Sequence, residues 1–129
     1  MVLDTSALVA ILRDEPECVE FVHLLATADD PLISAAILLE ASIVLHAKTG
    51  DDGVADLDQL LQAAGVRCVA VDVAQALAAR TAWTRYGKGR SSAALNYGDC
   101  FSYALATTLN RPLLYKGDDF THTDVLSAR

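Results

Sequence analysis

The sequence predicts an α/β fold, in which a short and mainly parallel central sheet is covered by helices on both faces. Short β-rich apolar runs alternate with longer helical segments along the 129 residues. Apolar residues make up 53% of the chain, with only seven Gly and three Pro, so a compact core is expected. There is no linker, internal repeat or low-complexity tract, and the length suits one domain over residues 1–129.

The first half of the chain predicts two strands, Met1–Leu3 and Pro31–Ser34, each followed by a helix. Thr5 or Ser6 is expected to cap the first helix, because hydroxyl groups accept hydrogen bonds from free backbone N–H groups. Helices are predicted over residues 7–13, 16–26, 35–48 and 51–64, separated by Asp14-Glu15-Pro16, by the segment around Pro31, and by Gly50. In the second helix, the predicted apolar face consists of Cys18, Val19, Val22, Leu25 and Ala26.

The second half predicts two further strands, Val66–Val71 and Pro112–Tyr115. Asp72 is expected to cap a helix over residues 73–86, and a buried helix is expected over residues 99–109. Residues 87–92 are the most loop-like stretch, residues 116–119 form a turn, and the tail forms a short strand or coil. Parallel sheets of this kind bind ligands beyond the carboxyl ends of their strands.

The chain is acidic, and its charged residues are unevenly distributed. The net charge is −7 and the isoelectric point is near 4.7, which argues against a nonspecific nucleic-acid coat protein. Residues 1–58 hold 12 acidic and two basic residues, whereas residues 59–129 hold five acidic and eight basic residues. A protein that gathers carboxylates around metal ions tolerates such a balance.

Cysteine usage and hydropathy predict a cytoplasmic protein. The three Cys residues lie far apart and form no CxxC or Cys/His cluster, so no zinc site is expected and free thiols suit a reducing compartment. No uninterrupted apolar run approaches the roughly 20 residues of a membrane span, and no basic segment precedes an apolar one as in a signal peptide.

Acidic residues stand at the positions where this fold binds ligands. Asp4 follows the first strand, Glu40 lies on an apolar helix, Asp99 begins a buried helix, and Asp118-Asp119 follow the last strand. Singly, each has an ordinary interpretation as a helix cap, a partly exposed Glu or a solvated turn. Together they suggest a cation site, because two carboxylates 4 Å apart repel by about 4 kcal/mol at an effective dielectric near 20. Ligands that are all oxygen favour Mg²⁺ or Mn²⁺, which commonly serve phosphate chemistry.

Three segments and one acidic position carry a recognisable pattern: Met1–Ala7, Glu40, Leu95–Cys100 and Leu113–Phe120. Over essentially its whole length the chain resembles PIN-domain ribonucleases, specifically the VapC-type toxins of bacterial toxin–antitoxin modules. The resemblance implies that the catalytic and metal-binding residues are Asp4, Glu40, Asp99 and Asp119. Many relatives carry an acid three residues before the motif's aromatic residue, where this chain has Gly117. Asp119 is therefore the preferred fourth acid, and Asp118 is the alternative.

The same resemblance implies a three-layer α/β/α PIN-like fold and an endoribonuclease that depends on Mg²⁺ or Mn²⁺. It implies cleavage of structured RNA, either tRNA or rRNA, and arrest of translation until a VapB-type antitoxin neutralises the toxin. It also implies a homodimer. The antitoxin could inhibit through an Arg that reaches the acidic residues and displaces the metal.

Basic and aromatic residues between the fifth and sixth helices suggest where RNA binds. Four of the ten Lys and Arg residues fall within residues 80–90, with Trp83 and Tyr86 among them and Tyr97 nearby. Such a mixture suits single-stranded RNA, although basic residues also favour a helix C-terminus and a Trp is often part of a core. The candidate RNA-binding residues are Arg80, Arg85, Lys88, Arg90, Asn96 and Lys116.

Other functions fit less well. A haloacid-dehalogenase-type phosphatase needs an acid two residues after the first strand-end Asp, where this chain has Ser6. A phospho-acceptor receiver domain needs an acidic pair after the first strand, and Asp4-Thr5 lacks it. A catalytically inert PIN-like binding module stays open, and stabilisation by Mg²⁺ distinguishes it from the nuclease.

Overall fold

A computed structural model describes all 129 residues and contains four strands and six helices. The strands are β1 Val2–Leu3, β2 Leu32–Ser34, β3 Arg67–Val69 and β4 Leu113–Leu114. The helices are α1 Thr5–Leu12, α2 Cys18–Ala26, α3 Ala35–Thr49, α4 Asp51–Ala63, α5 Val73–Tyr86 and α6 Tyr97–Thr108. None of these helices has the length and apolar character needed to cross a membrane.

The four strands form one sheet in the order β3-β2-β1-β4, and every strand pair is parallel. The predicted α/β fold is confirmed. The chain moves outward from β1 to β2 and β3, then crosses back so that β4 lies on the other side of β1. This reversal opens a crevice at the carboxyl ends of β1 and β4, where open α/β sheets bind ligands.

Successive strand residues point to opposite faces of the sheet and feed two separate cores. Leu3 and Leu114 pack in one core with side chains from α1 to α4. Val2 and Leu113 pack in the other core with side chains from α5 and α6. The molecule therefore has three layers, helix, sheet and helix, as predicted.

The helix caps differ from the sequence-based expectation in two places. Asp4 rather than Thr5 or Ser6 caps α1, because its carboxylate accepts a hydrogen bond from the Ser6 N–H at 2.9 Å. Helix α6 begins at Tyr97 with Asn96 as its cap, two residues earlier than predicted. In both helices an acidic residue lies at the end that faces the crevice, Asp4 as the cap of α1 and Asp99 in the first turn of α6.

The predicted apolar face of α2 is confirmed at Leu25 and wrong at Val19 and Val22. Phe21 and Leu25 are its buried residues, whereas Val19 is 81% exposed and Val22 is 45% exposed. Residues four apart share one stripe of a helix, and the ring of Phe21 fills the core beside α1 in place of the two smaller valines. The third strand is also shorter than predicted, because its exposed edge position leaves Val66, Ala70 and Val71 outside the ladder.

Candidate active site

A cleft of about 470 Å³ opens where the carboxyl ends of β1 and β4 meet α1, α3 and α6. All four acidic residues predicted for the site line this cleft: Asp4, Glu40, Asp99 and Asp119. They come from four separate parts of the chain. Only the crossing of the chain back to β4 brings the last of them beside the first.

Asp4 is held rigidly at the end of β1. The side chain is 3% exposed, and its Oδ2 accepts hydrogen bonds from the Ser6 N–H at 2.9 Å and the Ser6 hydroxyl at 2.6 Å. Its Oδ1 accepts a third hydrogen bond from the Ser102 hydroxyl at 2.6 Å. The Lys116 N–H donates to Ser6 Oγ at 2.9 Å, so the end of β4 is tied to the same network. Asp4 is thereby both the cap of α1 and a fixed acceptor in the cleft.

Glu40 projects from α3 into the cleft and is half-buried. The Thr5 hydroxyl donates to Glu40 Oε1 at 2.5 Å. On the other side, Gly98 of α6 lies so close to the Glu40 carboxylate that a Cβ on Gly98 would collide with it. The absence of a side chain at Gly98 therefore makes room for the carboxylate between α1 and α6.

Asp99 is the third residue of α6 and belongs to a capping box. Its side chain accepts a hydrogen bond from the Asn96 N–H at 2.8 Å, while Asn96 Oδ1 accepts one from the Asp99 N–H at 2.9 Å. The side chain is only 7% exposed, and this burial raises the pKa of Asp99 to about 7. The hydrogen bond from Asn96 opposes that rise, and the charges of Asp4, Asp119 and Glu40 add to it.

The fourth acidic motif places its two carboxylates differently. Asp119 lines the cleft and contributes to the raised pKa of Asp99, whereas Asp118 does not line the cleft. Phe120 is 2% exposed and packs against the Tyr115 ring with 5.0 Å between ring centroids. This buried ring anchors the turn, which begins at Gly117 with a φ of 93°. Asp119 is thus the member of the pair that lies in the cleft, and its role as the fourth acid stays a prediction.

The donor set suits a hard divalent cation, although no preformed metal cluster exists. No three Asp, Glu, His or Cys side chains are arranged as ligands of a single ion. Mg²⁺ commonly binds through one or two carboxylates and keeps several waters, so it does not need a closed protein cage. The mutual repulsion that helps to raise the pKa of Asp99 is the electrostatic cost that a bound cation would relieve.

The predicted RNA-binding residues lie in three different parts of the surface. Arg80, Lys88 and Asn96 line a second cleft of about 570 Å³ between α5 and α6, and the guanidinium of Arg90 lies 5.9 Å from the centre of the Trp83 ring. Asn96 also lines the acidic cleft, so the two clefts adjoin.

Two of the predicted RNA-binding residues already have protein partners. Arg85 donates to the Tyr86 hydroxyl at 2.8 Å and pairs with Asp124 at 3.4 Å, beside a separate cleft. Lys116 lines the acidic cleft, where its ammonium group pairs with Glu15 at 2.6 Å and Glu17 at 3.0 Å. These pairs reduce the charge that either residue offers to a phosphate.

Three residues that position the acidic side chains are not predicted as such from the sequence: Thr5, Ser6 and Ser102. The sequence pattern predicts only a capping role for Thr5 and Ser6, yet their hydroxyls hold Glu40 and Asp4. Ser102 lies three residues after Asp99 on a largely apolar helix and therefore shares its face. That spacing was the signal that could have found it.

A parallel α/β sheet with four carboxylates in the cleft at its switch point defines the class of protein, and comparisons with known proteins identify the family. The PIN domain family matches residues 1–126. The chain is 56% identical to Ribonuclease VapC of Mycolicibacterium smegmatis over 129 residues, covering 97% of each protein. It is 51% identical to Ribonuclease VapC30 of Mycobacterium tuberculosis over 125 residues, covering 97% of this chain and 95% of that protein. The chain therefore belongs to the PIN-domain family, within its VapC group.

Solved structures show the same fold. VapC20 of Mycobacterium tuberculosis, described as a toxin that cleaves the sarcin–ricin loop, superposes with a TM-score of 0.80 at 18% identity, covering 99% of this chain and 98% of that one. A VapBC2 complex of Rickettsia felis, bound to a DNA fragment from its promoter, gives a TM-score of 0.76 at 16% identity, with coverage of 98% and 94%. The three-layer PIN fold predicted from the sequence is confirmed.

Proposed function

We propose that this protein is a Mg²⁺-dependent endoribonuclease and the toxin of a type II toxin–antitoxin module. Its substrate is structured RNA, either tRNA or rRNA, and its action arrests translation. The observation that carries the proposal is the meeting of Asp4, Glu40, Asp99 and Asp119 in one cleft, in a chain of the VapC group. The names of its relatives, which are ribonucleases, support the reaction class.

Asp4 and Asp99 would hold the metal ion, with Glu40 and Asp119 completing the site directly or through water. Mn²⁺ could replace Mg²⁺, because both ions prefer oxygen ligands. When bound, the ion lowers the pKa of a water molecule and neutralises the attacked phosphodiester.

The remaining side chains of the cleft hold these carboxylates in place. Ser6 and Ser102 donate three hydrogen bonds to Asp4, which fix the orientation of its carboxylate in the cleft. Thr5 donates to Glu40, and the Asn96 N–H donates to Asp99. In the metal-free protein the carboxyl of Asp99, with a pKa of about 7, can hold or release a proton near neutrality.

Two protein partners are part of the proposal. A VapB-type antitoxin would neutralise the acidic cleft through a basic segment, with an Arg paired to the carboxylates. The toxin–antitoxin complex among the structurally similar proteins supports such a partner. A second copy of the chain would cover Leu39 and Ile43 on α3, which are 62% and 59% exposed and flank Glu40.

The proposal is tested on total cellular RNA. Wild-type protein, Asp99→Asn and the control Asp58→Asn, an exposed acid on α4, are incubated with Mg²⁺ or with EDTA, and new 5′ ends are mapped. Discrete cuts by the wild type and the control that require Mg²⁺ and Asp99 support the nuclease. Cuts that persist in Asp99→Asn reveal a contaminating enzyme. Absence of cuts from folded, antitoxin-free protein contradicts the proposal.

The alternative is an inert PIN-like binding module, favoured only by the lack of a preformed cluster of metal ligands. Thermal unfolding with and without Mg²⁺ distinguishes the two. A metal at 100 times its Kd stabilises the native state by about 2.7 kcal/mol, and an inert site shows no such stabilisation. Asp99→Asn should remove most of the effect, and Asp58→Asn should leave it unchanged.

A further inference from the structure

The cleft between α5 and α6 has a chemistry different from that of the acidic cleft beside it. Its wall is mainly apolar, formed by Ala76 and Ala79 of α5 and by Cys100 and Phe101 of α6. The volume of about 570 Å³ falls in the range of small-molecule sites. The nuclease chemistry assigned to the carboxylates leaves this cleft without a role.

Two aromatic rings stand at this cleft and are open to solvent. Trp83 is 38% exposed and Tyr97 is 79% exposed, although aromatic side chains of this size are normally well buried. Tyr97 packs edge-on against Phe101 with 5.0 Å between ring centroids, which supports the ring without covering it. The backbone of Gly87 lies against the Trp83 ring so closely that a Cβ there would collide with the indole.

Three of the chain's five unpaired Lys and Arg side chains lie at the same cleft. Five of the ten Lys and Arg residues are paired with carboxylates: Arg67, Arg85, Arg111, Lys116 and Arg129. Of the five that are not, Arg80 and Lys88 line the cleft and Arg90 lies over Trp83. In a protein with a net charge of −7, three unpaired cations at one apolar cleft favour an anionic ligand.

Asn96 connects this cleft to the carboxylates. It lines both clefts, and it is the cap of the helix whose third residue is Asp99. Its side-chain oxygen is used in the cap, which leaves the NH₂ group of the same amide as a hydrogen-bond donor. A ligand with a phosphate at Asp99 and a flat group beside Asn96 would therefore occupy both clefts at once.

We propose that the cleft between α5 and α6 binds an unpaired base of the RNA substrate next to the scissile phosphodiester, stacked on Trp83 and Tyr97, while Arg80 and Lys88 contact the adjoining phosphates. This assignment rests on the proposed nuclease function and adds a specificity site to it. Aromatic faces with flanking cations are the usual means of holding single-stranded RNA. The requirement for an unstacked base would direct cleavage to loops.

Trp83 is the only tryptophan of the chain and reports on this cleft directly. Asp99→Asn protein in EDTA, which cannot turn over its substrate, is titrated with RNA hexamers of uridine or adenosine while Trp fluorescence is followed. The control ligand is an abasic ribose-phosphate hexamer of the same charge. Saturable quenching by the base-containing hexamers, and none by the abasic one, is the expected result.

Two variants distinguish the contribution of base stacking to hexamer binding from the contribution of charge. Tyr97→Ala should weaken hexamer binding by roughly 5- to 150-fold, the effect of losing one stacked base. Arg80→Ala should weaken binding to all hexamers and reduce its salt dependence by about 0.7 in log–log slope. Leu109→Ala and Lys48→Ala, which are exposed positions away from the cleft, should bind as the parent does.

The outcomes are independent of whether RNA is cleaved. Quenching by bases without any cleavage by the wild type supports the base site and contradicts the nuclease. Asp99-dependent cleavage without quenching, and with Tyr97→Ala cutting at the wild-type rate, overturns the base site alone. If Tyr97→Ala instead converts a dimer into a monomer in sedimentation and the hexamers do not quench, the cleft belongs to a second copy and the proposal is wrong.

Discussion

The hydroxyl of Ser102 donates a hydrogen bond to Oδ1 of Asp4 at 2.6 Å across 98 positions of sequence. Ser102 is fully buried on α6, and Asp4 ends the central strand β1. This contact joins the two main acidic elements of the cleft, because Asp99 lies one turn before Ser102 on the same helix. The orientation of Asp4 relative to Asp99 therefore depends on Ser102, which has no direct role in the proposed reaction.

Ser102→Ala is expected to reduce RNA cleavage 10- to 100-fold, the usual effect of removing a group that orients a metal ligand. It should also lower the free energy of unfolding by about 1–3 kcal/mol, since a buried acceptor loses a partner. Cleavage rates and denaturant unfolding measure both effects. Ser42→Ala is the matched control, because its hydroxyl bonds only to the Leu38 carbonyl within α3. Equal activities of the two variants would contradict the assigned role.

Gly98→Ala should impair activity without unfolding the protein. The new Cβ collides with the Glu40 carboxylate, which is the end of a flexible, half-buried side chain and can move away. Cleavage should fall at least 10-fold, as it should in Glu40→Gln, while the melting temperature stays level or rises because Ala favours helices over Gly. In a Glu40→Ala background, Gly98→Ala should have no further effect on cleavage. Additive losses in the double variant would show that Gly98 acts by another route.

Stability of the metal-free protein should depend on Asp99. Burial raises the pKa of Asp99 from an ordinary 3.8 to about 7. The contribution of this group to the free energy of unfolding is therefore greatest below pH 3.8, where the carboxyl is protonated in both the folded and the unfolded state. This contribution is lost as the pH rises to about 7, at a rate of about 1.4 kcal/mol per pH unit. Denaturant unfolding in EDTA at several pH values measures it.

Asp99→Asn is the comparison for that pH dependence. The amide keeps an oxygen for the Asn96 N–H and carries no charge, so the variant should gain stability over wild type as the pH rises from 4 to 7. Taking the difference between the two proteins cancels the opposite slopes of Asp30 and Asp124, whose pKa values are lowered by hydrogen bonds from Arg67 and Tyr103. Parallel stability curves for the two proteins would mean that Asp99 titrates normally.

Substitution of Asp119 should reduce RNA cleavage more than substitution of Asp118. Asp119→Asn removes a carboxylate of the cleft and should reduce cleavage 10- to 100-fold, while Asp118→Asn should stay within about twofold of wild type. Because Asp119 helps to raise the pKa of Asp99, Asp119→Asn should also lower that pKa in the metal-free protein. Cleavage assays give the first result, and an NMR titration of Asp99 gives the second. The reverse order of activities would assign the fourth acid to Asp118.

Much of the architecture was predictable because it depends on local patterns. Short apolar runs alternating with helices predicted the parallel sheet, and Gly50 ends α3 where expected. Acidic residues next to strand ends predicted the cleft, since the carboxyl ends of parallel strands share one edge. These features follow from backbone geometry and residue type within a few positions.

Features that depend on competition between distant groups were not predictable. Helix α2 offers two apolar stripes, and only packing against α1 selects Phe21 over Val19. Arg85 looked equivalent to Arg80 in the sequence, yet Asp124 pairs with it 39 positions away. No local signal shows which carboxylate will reach which cation.

The sequence by itself therefore determined the fold class, the family and the set of acidic residues in the cleft. The tertiary structure decided which carboxylate has a raised pKa, which one accepts hydrogen bonds from Ser6 and Ser102, and which cations are left unpaired for a ligand. Asp99 acquires its raised pKa only when α6 is packed against the sheet beside Asp4. The physical reason is that charge interactions depend on distance and on access to water, and both take their values only in the folded chain.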